Sequence, residues 1–381
     1  MQKRAFSVLA TAIFCCMLGV GIVAPLLPLY AEEMGASGFW LGMIFAGYSI
    51  SRTVVMPIAG RLSDRAGRKL LLGLGLLGNA LISLSYVGAS STGEMTLVRF
   101  LHGLAAGIVV PVAQAYVGDL SPEAEEGRWM GLYNSAFFTG FGCGPLLGGV
   151  ITERFGMDHA FLTMGLLNLV AFGLVFLLIP EVKRSRAQQL RRVPFWRMGQ
   201  SRVLRAIVAY RLSYSFGRGT FVTFVPVVAA IFIGLSPAEV GMVLATSILV
   251  MSLLQLYSGY VADRFDRKRL VVIGSLLNAS SLALVPLALN FWHLLAIATM
   301  AGLGGAISMP AASALAVGEG RTFGMGSTMA IFSMAFSLGM VLGPLSSGLV
   351  ADLWNLKAVF LVGSGATLLG TAFFAVYGRS F

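Results

Sequence analysis

Hydrophobic positions gather into twelve long runs, at about 6–30, 39–59, 70–90, 95–118, 129–152, 158–180, 203–231, 238–260, 270–290, 292–316, 322–350 and 356–377, with short polar segments between them. Runs of ~20 apolar residues match the thickness of a bilayer core. Their length also selects helices over barrel strands, because only a backbone that satisfies its own N–H and C=O groups can face lipid. The pattern therefore predicts an all-α membrane protein with twelve transmembrane helices. The first run follows Gln2-Lys3-Arg4 much as a signal peptide would. It is too long for the apolar region of one and has no small-residue cleavage site before Pro25 and Pro28, so it reads as the first span.

Composition supports this and narrows what the chain can do. Of its 381 residues 57% are hydrophobic and only 11% charged, and the mean hydropathy is +0.84; soluble domains carry roughly a quarter charged residues. Twelve spans leave almost nothing for a domain outside the membrane. The net charge of +11 falls in short loops, which argues against nucleic acid as a partner and leaves membrane lipid and a small molecule. Cys15, Cys16 and Cys143 lie within apolar runs without ligand spacing and read as inert thiols.

Basic residues set the orientation. Both termini and the even-numbered loops together hold 21 of the 27 lysines and arginines; the other side holds Arg154 and Lys357, and four lie within spans. Both termini are expected to be cytoplasmic, in a multi-pass protein of the cell inner membrane. The longest loop, 181–202, carries Lys183, Arg184, Arg186, Arg191, Arg192, Arg197 and Arg202. It reads as a solvated linker touching anionic headgroups.

The chain also matches itself at an offset of 199 residues. Gly60-Arg61-Leu62-Ser63-Asp64-Arg65-Ala66-Gly67-Arg68-Lys69 aligns with Gly259-Tyr260-Val261-Ala262-Asp263-Arg264-Phe265-Asp266-Arg267-Lys268. Gly35, Ser37, Gly42 and Met43 align with Gly234, Ser236, Gly241 and Met242, and Gly144-Pro145 with Gly343-Pro344. A gapless offset implies two copies of a six-helix bundle, 1–180 and 203–381, joined by the basic linker 181–202. Parallel copies of this kind imply a substrate site at the midplane between the halves.

At this point the sequence resembles the major facilitator superfamily over essentially its whole length. Gly60-x-Leu62-x-Asp64-Arg65-x-Gly67-Arg68-Lys69 matches that superfamily's cytoplasmic loop signature. Leu18-Gly19 with Pro25-Leu26-Leu27-Pro28, and Gly140-x-x-x-Gly144-Pro145-x-x-Gly148-Gly149, resemble the first-helix and antiporter motifs of its twelve-span drug/proton antiporter branch. Arg99-x-x-His102-Gly103 resembles the fourth-helix motif, with His102 where glutamine is usual. The second loop copy is degenerate, with Asp266 in place of glycine. The resemblance implies secondary transport, with export favoured. It also implies that Asp64 holds the outward-open state and that Arg68 pairs with an acid ending the fourth span, for which Asp119 is the candidate. For Arg99 it implies a conformational or coupling role.

Each motif has a physical rationale. Glycines at 60 and 67 suit a tight turn between the second and third spans. Asp64 among Arg61, Arg65, Arg68 and Lys69, with Asp263 and Arg267 as its second copy, forms charge clusters that can be made in one state and broken in another. The alternative is that these charges only fix topology. Gly140, Gly144 and Gly148 share one helix face, a small-xxx-small pattern, and Pro145 permits a bend. Gly339, Gly343-Pro344 and Ser347 repeat the pattern. Both helices are expected to pack closely against a partner from the other half, as a gate or as ordinary packing.

The spans contain four arginines, Arg52, Arg99, Arg211 and Arg218, while none of the 16 acidic residues lies deep in a span. A charge inside the membrane costs at least ~2.5–3.5 kcal/mol and marks function by default. Two readings stand. The arginines face a cavity and bind an anionic or zwitterionic group, with Tyr48, Tyr210 and Tyr214 adding polar contacts. Or they are structural, donating to backbone carbonyls around an apolar cavity. His102 titrates near neutrality and is either a coupling residue or a satisfied core histidine. Without an intramembrane acid, the proton carriers on offer are Asp64, Asp119, Glu32, Glu33 and His102.

The sequence thus predicts a secondary active transporter: proton-coupled efflux of a small amphiphilic or anionic organic compound by alternating access, from a monomer with no cofactor. An organic-anion importer and a lysolipid or lipid transporter are the alternatives. No enzyme is expected, since the three histidines, His102, His159 and His293, are scattered, and no metal site either. An ATP-driven pump is excluded by the lack of a Gly-x4-Gly-Lys-Ser/Thr loop.

Overall fold

The computed structural model describes residues 2–23, 26–27, 30, 34–35, 38–181 and 195–377. Twelve helices in it are long and apolar enough to cross a membrane. They are α1 (Gln2–Val23), α2 (Gly38–Ala66), α3 (Arg68–Val87), α4 (Thr92–Leu120), α5 (Glu126–Phe155), α6 (Met157–Leu178), α7 (Arg202–Val228), α8 (Pro237–Arg264), α9 (Arg267–Leu284), α10 (Phe291–Phe323), α11 (Met325–Leu353) and α12 (Ala358–Tyr377). A five-residue π-turn, Ala229–Ile233, extends α7. No strand occurs among the described residues. Pro25 and Pro28 of the first-helix motif, Glu32, Glu33 and Ser37, and Lys183, Arg184, Arg186, Arg191 and Arg192 of the linker lie outside the described residues. Arg197 falls in a short helix, Phe195–Met198, and Arg202 opens α7.

The helices outreach the apolar runs that announce them. Hydropathy falls where the hydrocarbon ends, but a bilayer is ~10–15 Å thicker than its core, and the backbone ladder continues through the headgroup layer. Hence α2 runs on to Ala66 and carries Gly60 to Arg65 as helix. This corrects the turn role expected of Gly60. Only Gly67, at φ +97°, reverses the chain. Gly60 instead lets helices approach: a Cβ there would come within 3.0 Å of the Gly326 carbonyl carbon.

The 199-residue repeat appears directly in the helix starts. Helices α2, α3, α4 and α5 begin at 38, 68, 92 and 126, and α8, α9, α10 and α11 at 237, 267, 291 and 325. Where the second copy departs from the first, local chemistry adapts. Gly67 has no side chain to cap α3, and the Arg68 N–H donates to Glu181 Oε1 at 2.9 Å. Asp266, at the corresponding position, has φ −57° and caps α9 itself, accepting from the Arg269 N–H.

Contacts divide the chain into two compact units, and each includes a short piece of the other sequence half. One comprises Met1–Leu120, Ala136–Arg191 and Gly324–Ala330; the other comprises Ser121–Ser135, Arg192–Phe323 and Ile331–Phe381. The first has a core of Ile22, Leu27, Met95, Phe161 and Met164, with Tyr86 stacked on Phe161 at 4.9 Å. The second has Phe221, Val225, Leu282, Leu294 and Phe360 at its centre.

Small residues set the closest approaches, but not those expected. A Cβ on Gly140 would lie 2.5 Å from the Phe14 carbonyl oxygen, one on Gly144 2.6 Å from the Ile22 amide, and one on Gly148 2.5 Å from the Ile22 carbonyl oxygen. The partner of this stripe is therefore α1, of the same half. The α11 stripe likewise faces α7, with Gly339 against Ser215 and Gly343 against Phe216. Pro145 and Pro344 sit within continuous helices, and the Pro344 ring packs at Gly219. Approach of one sequence half to the other instead uses Gly60 with Gly326, and Gly127 and Gly131 with Gly259.

Candidate functional site: loop carboxylates and intramembrane arginines

The first N–H groups of a helix have no partner within it and carry a partial positive charge. Both loop aspartates exploit this. Asp64, near the end of α2, accepts from the Gly326 and Ser327 N–H groups, both at 2.9 Å, and from the Ser327 hydroxyl at 2.9 Å. Those amides open α11. Asp263, near the end of α8, accepts from the Gly127 and Arg128 N–H groups at 2.7 Å, and these open α5.

An arginine supports each carboxylate. Arg68 is 1% exposed. Its Nη2 donates to Asp64 at 2.8 Å, its Nε to Asp119 at 2.9 Å, and its Nη1 to the Ser63 hydroxyl. The pairing of Arg68 with Asp119 implied by the resemblance is thus present. In the second copy residue 318 is glycine, so Arg267 has no counterpart of Asp119. Its Nη2 donates to Asp263 at 3.2 Å and to Glu126 at 2.8 Å. Glu126 is also bound by Arg321 at 2.9 Å. Arg65, by contrast, is exposed.

Sequence reasoning missed Glu126, Arg321, Glu181 and Ser63. The repeat gave no signal for Glu126, whose counterpart is Met325. The signal available was an acid in the first turn of α5.

The intramembrane arginines fall into two clusters, one in each unit. In the first unit α2 supplies Tyr48 and Arg52, α3 supplies Tyr86, and α4 supplies Arg99 and His102. The Arg99 guanidinium sits 4.3 Å from the Tyr48 ring centre and that of Arg52 sits 6.0 Å from it. Arg99 Nη1 reaches the Tyr86 hydroxyl at 3.5 Å, and that oxygen lies 2.9 Å from His102 Nδ1. Which of the two donates follows from the imidazole tautomer. His102 Nε2, Arg99 Nε and Arg52 Nε are buried with no hydrogen-bond partner among the described residues. His102 is 1% exposed and Arg99 9%.

In the second unit Arg211 lies between the rings of Phe332 and Phe336, at 4.6 and 4.5 Å, with Nη1 against the Met309 sulfur. Arg218 Nη1 donates to Ser247 Oγ at 3.1 Å. The Tyr214 hydroxyl points to the Met251 sulfur. Tyr210 is fully buried, 5.8 Å from Tyr214 between ring centres. Among the described residues none of the four arginines is in an ion pair, and their hydrogen bonds go to side chains, not to backbone carbonyls.

Twelve apolar helices in a twofold sequence repeat, loop carboxylates on helix starts and charges inside the membrane define a multi-pass membrane transporter. The chain belongs to the Major Facilitator Superfamily, whose family model matches residues 9–228 and 207–380. It is 26% identical over 375 residues to an uncharacterised MFS-type transporter of Methanocaldococcus jannaschii, covering 94% of each chain. It is 26% identical over 380 residues to the quinolone resistance protein NorA of Staphylococcus aureus, covering 97% of this chain and 95% of that one. The fold is shared with the human organic anion transporter MFSD10 (TETRAN), with TM-score 0.85 at 20% identity over 98% and 99% of the two chains. Members of this family are transporters, not enzymes.

Proposed function

We propose that this protein is a proton-coupled exporter of amphiphilic organic anions, acting as a monomer in the cell inner membrane with both termini cytoplasmic. The observation that carries this reading is the cluster of Tyr48, Arg52, Tyr86, Arg99 and His102. Burying the guanidinium of Arg99 and the Nε of Arg52 without a carboxylate is costly, and cation–π contacts return only ~2 kcal/mol each when desolvated. The unpartnered Nε–H groups of Arg52 and Arg99 are donors for a carboxylate or sulfonate, and His102 Nε2 adds a third when it carries the proton. Arg211 and Arg218 supply the same chemistry in the second unit. Export is supported by the glycine–proline stripe on α5 and by the similarity to NorA; an organic anion as cargo accords with the activity in the name of the MFSD10 structure.

In this reading Asp64 and Asp263 are latches of alternating access. Each holds the first amides of a helix from the opposite sequence half, and releasing them frees that helix start. No bound cofactor takes part, and the proton gradient drives the cycle through His102 or the loop carboxylates.

The test is thermal stabilisation of the purified protein by 1-naphthoate against the matched cation 1-naphthylmethylammonium. A ligand at 100 times its dissociation constant adds about 2.7 kcal/mol. Stabilisation by the anion, weakened in Arg99→Gln, is expected. Stabilisation by the cation alone would make the arginines scaffold.

A further inference from the structure

A cavity of about 420 Å³ opens where α1 and α3 begin and α6 ends, lined by Arg4, Ala5, Lys69, Leu177, Leu178, Ile179 and Pro180. Two of its walls are basic and five are apolar. Lys69 Nζ lies 5.6 Å from the Phe176 ring centre, so its ammonium is held at the rim. The nearby acid, Glu181, is already engaged by the Arg68 amide. Beside the cavity the helix faces are bare and apolar: Phe176, Leu177, Leu70 and Leu74 are all more than half exposed. Such faces on membrane helices are covered by acyl chains.

We propose that this cavity is a headgroup site for an anionic phospholipid. A phosphate between Arg4 and Lys69 would receive charge-assisted hydrogen bonds, and a glycerol backbone and acyl chain would continue over the apolar walls onto the leucine face. Basic pockets between spans at the membrane surface suit such headgroups. The bare face of Leu70, Leu74, Phe176 and Leu177 beside the cavity suits an acyl chain, which free phosphate lacks. Lys69 adjoins Arg68, so a bound lipid would brace the corner from which the Asp64 latch is held.

The experiment uses the full-length protein in detergent and follows its melting temperature against dioleoylphosphatidylglycerol, dioleoylphosphatidylcholine and inorganic phosphate. Phosphatidylglycerol should stabilise the protein, and the other two should not. Arg4→Gln/Lys69→Gln should weaken the phosphatidylglycerol effect roughly thirtyfold in apparent affinity, the loss expected for two basic contacts at a membrane surface. Arg4→Lys/Lys69→Arg, which keeps both charges, should retain it, as should Arg205→Gln, which removes a basic residue elsewhere. Should the double glutamine variant not fold, Arg4→Gln alone, at an exposed first turn, gives the same comparison at a smaller amplitude. An equal response in the glutamine variants, or to phosphatidylcholine, overturns the proposal. An equal response to inorganic phosphate makes this a free-phosphate site and overturns it too.

Discussion

Asp64 and Asp263 stand 199 residues apart and hold backbone amides that are themselves 199 residues apart. Asp64 accepts from Gly326 and Ser327, and Asp263 accepts from Gly127 and Arg128. The repeat therefore conserves a relationship between two helices, not merely a loop. A carboxylate on a helix start gains both hydrogen bonds and the helix dipole. Bonds to a charged group contribute about 1.5–3 kcal/mol each, a useful size for a contact that must form and break.

Asp64→Asn keeps the shape of this contact and removes its charge. Transport should fall at least tenfold while membrane insertion and 1-naphthoate binding persist, and Asp263→Asn should act in the same direction. Proteoliposome flux beside a binding titration checks this. Wild-type flux in Asp64→Asn would reduce the cluster to a topology signal.

Arg68 and Arg65 are neighbours in one motif with different fates. Arg68 spreads three nitrogens over Ser63, Asp64 and Asp119, a fork that lysine cannot reproduce. Arg68→Lys should lower stability by about 1–3 kcal/mol, from the buried hydrogen bonds that lysine leaves unmade. Arg65→Lys, at an exposed site, should stay within about 0.5 kcal/mol. Melting curves of the two variants decide it, and equal losses would contradict the geometry.

Gly144 and Gly149 offer a similar contrast. A Cβ on Gly144 meets the backbone of α1 at Ile22, whereas one on Gly149 meets nothing within 4 Å. Gly144→Ala should cost about 1–3 kcal/mol by overpacking, and Gly149→Ala should be nearly silent. Thermal denaturation in detergent measures both.

These glycines show where the sequence stopped being legible. Run length gave twelve helices, and the offset gave the repeat, because hydropathy and periodicity are properties of one segment. The partner of a glycine face is a property of two segments, so the α5 stripe reads as facing the other half although α1 covers it. The same limit applied to Asp64. Its charge cluster was legible, but the amides of Gly326 and Ser327 carry no side-chain signal. Gly60 read as a turn because hydropathy ends before the helix does.

Arg211→Met separates the two readings of a buried arginine. Phe332, Phe336 and the Met309 sulfur surround Arg211, an apolar pocket into which methionine fits. If the charge is there for substrate, naphthoate affinity should drop at least tenfold while the melting temperature holds or rises, since replacing buried charges with apolar groups is often neutral or stabilising. A lower melting temperature with unchanged affinity would make Arg211 scaffold.

The central claim is that an organic anion is exported by way of the intramembrane arginines, and proton-driven flux in proteoliposomes tests it most directly. Wild-type protein should move 1-naphthoate against its gradient while a pH gradient stands and stop when that gradient is collapsed, and Arg99→Gln should be inactive. Transport of 1-naphthylmethylammonium with no movement of naphthoate would contradict the account.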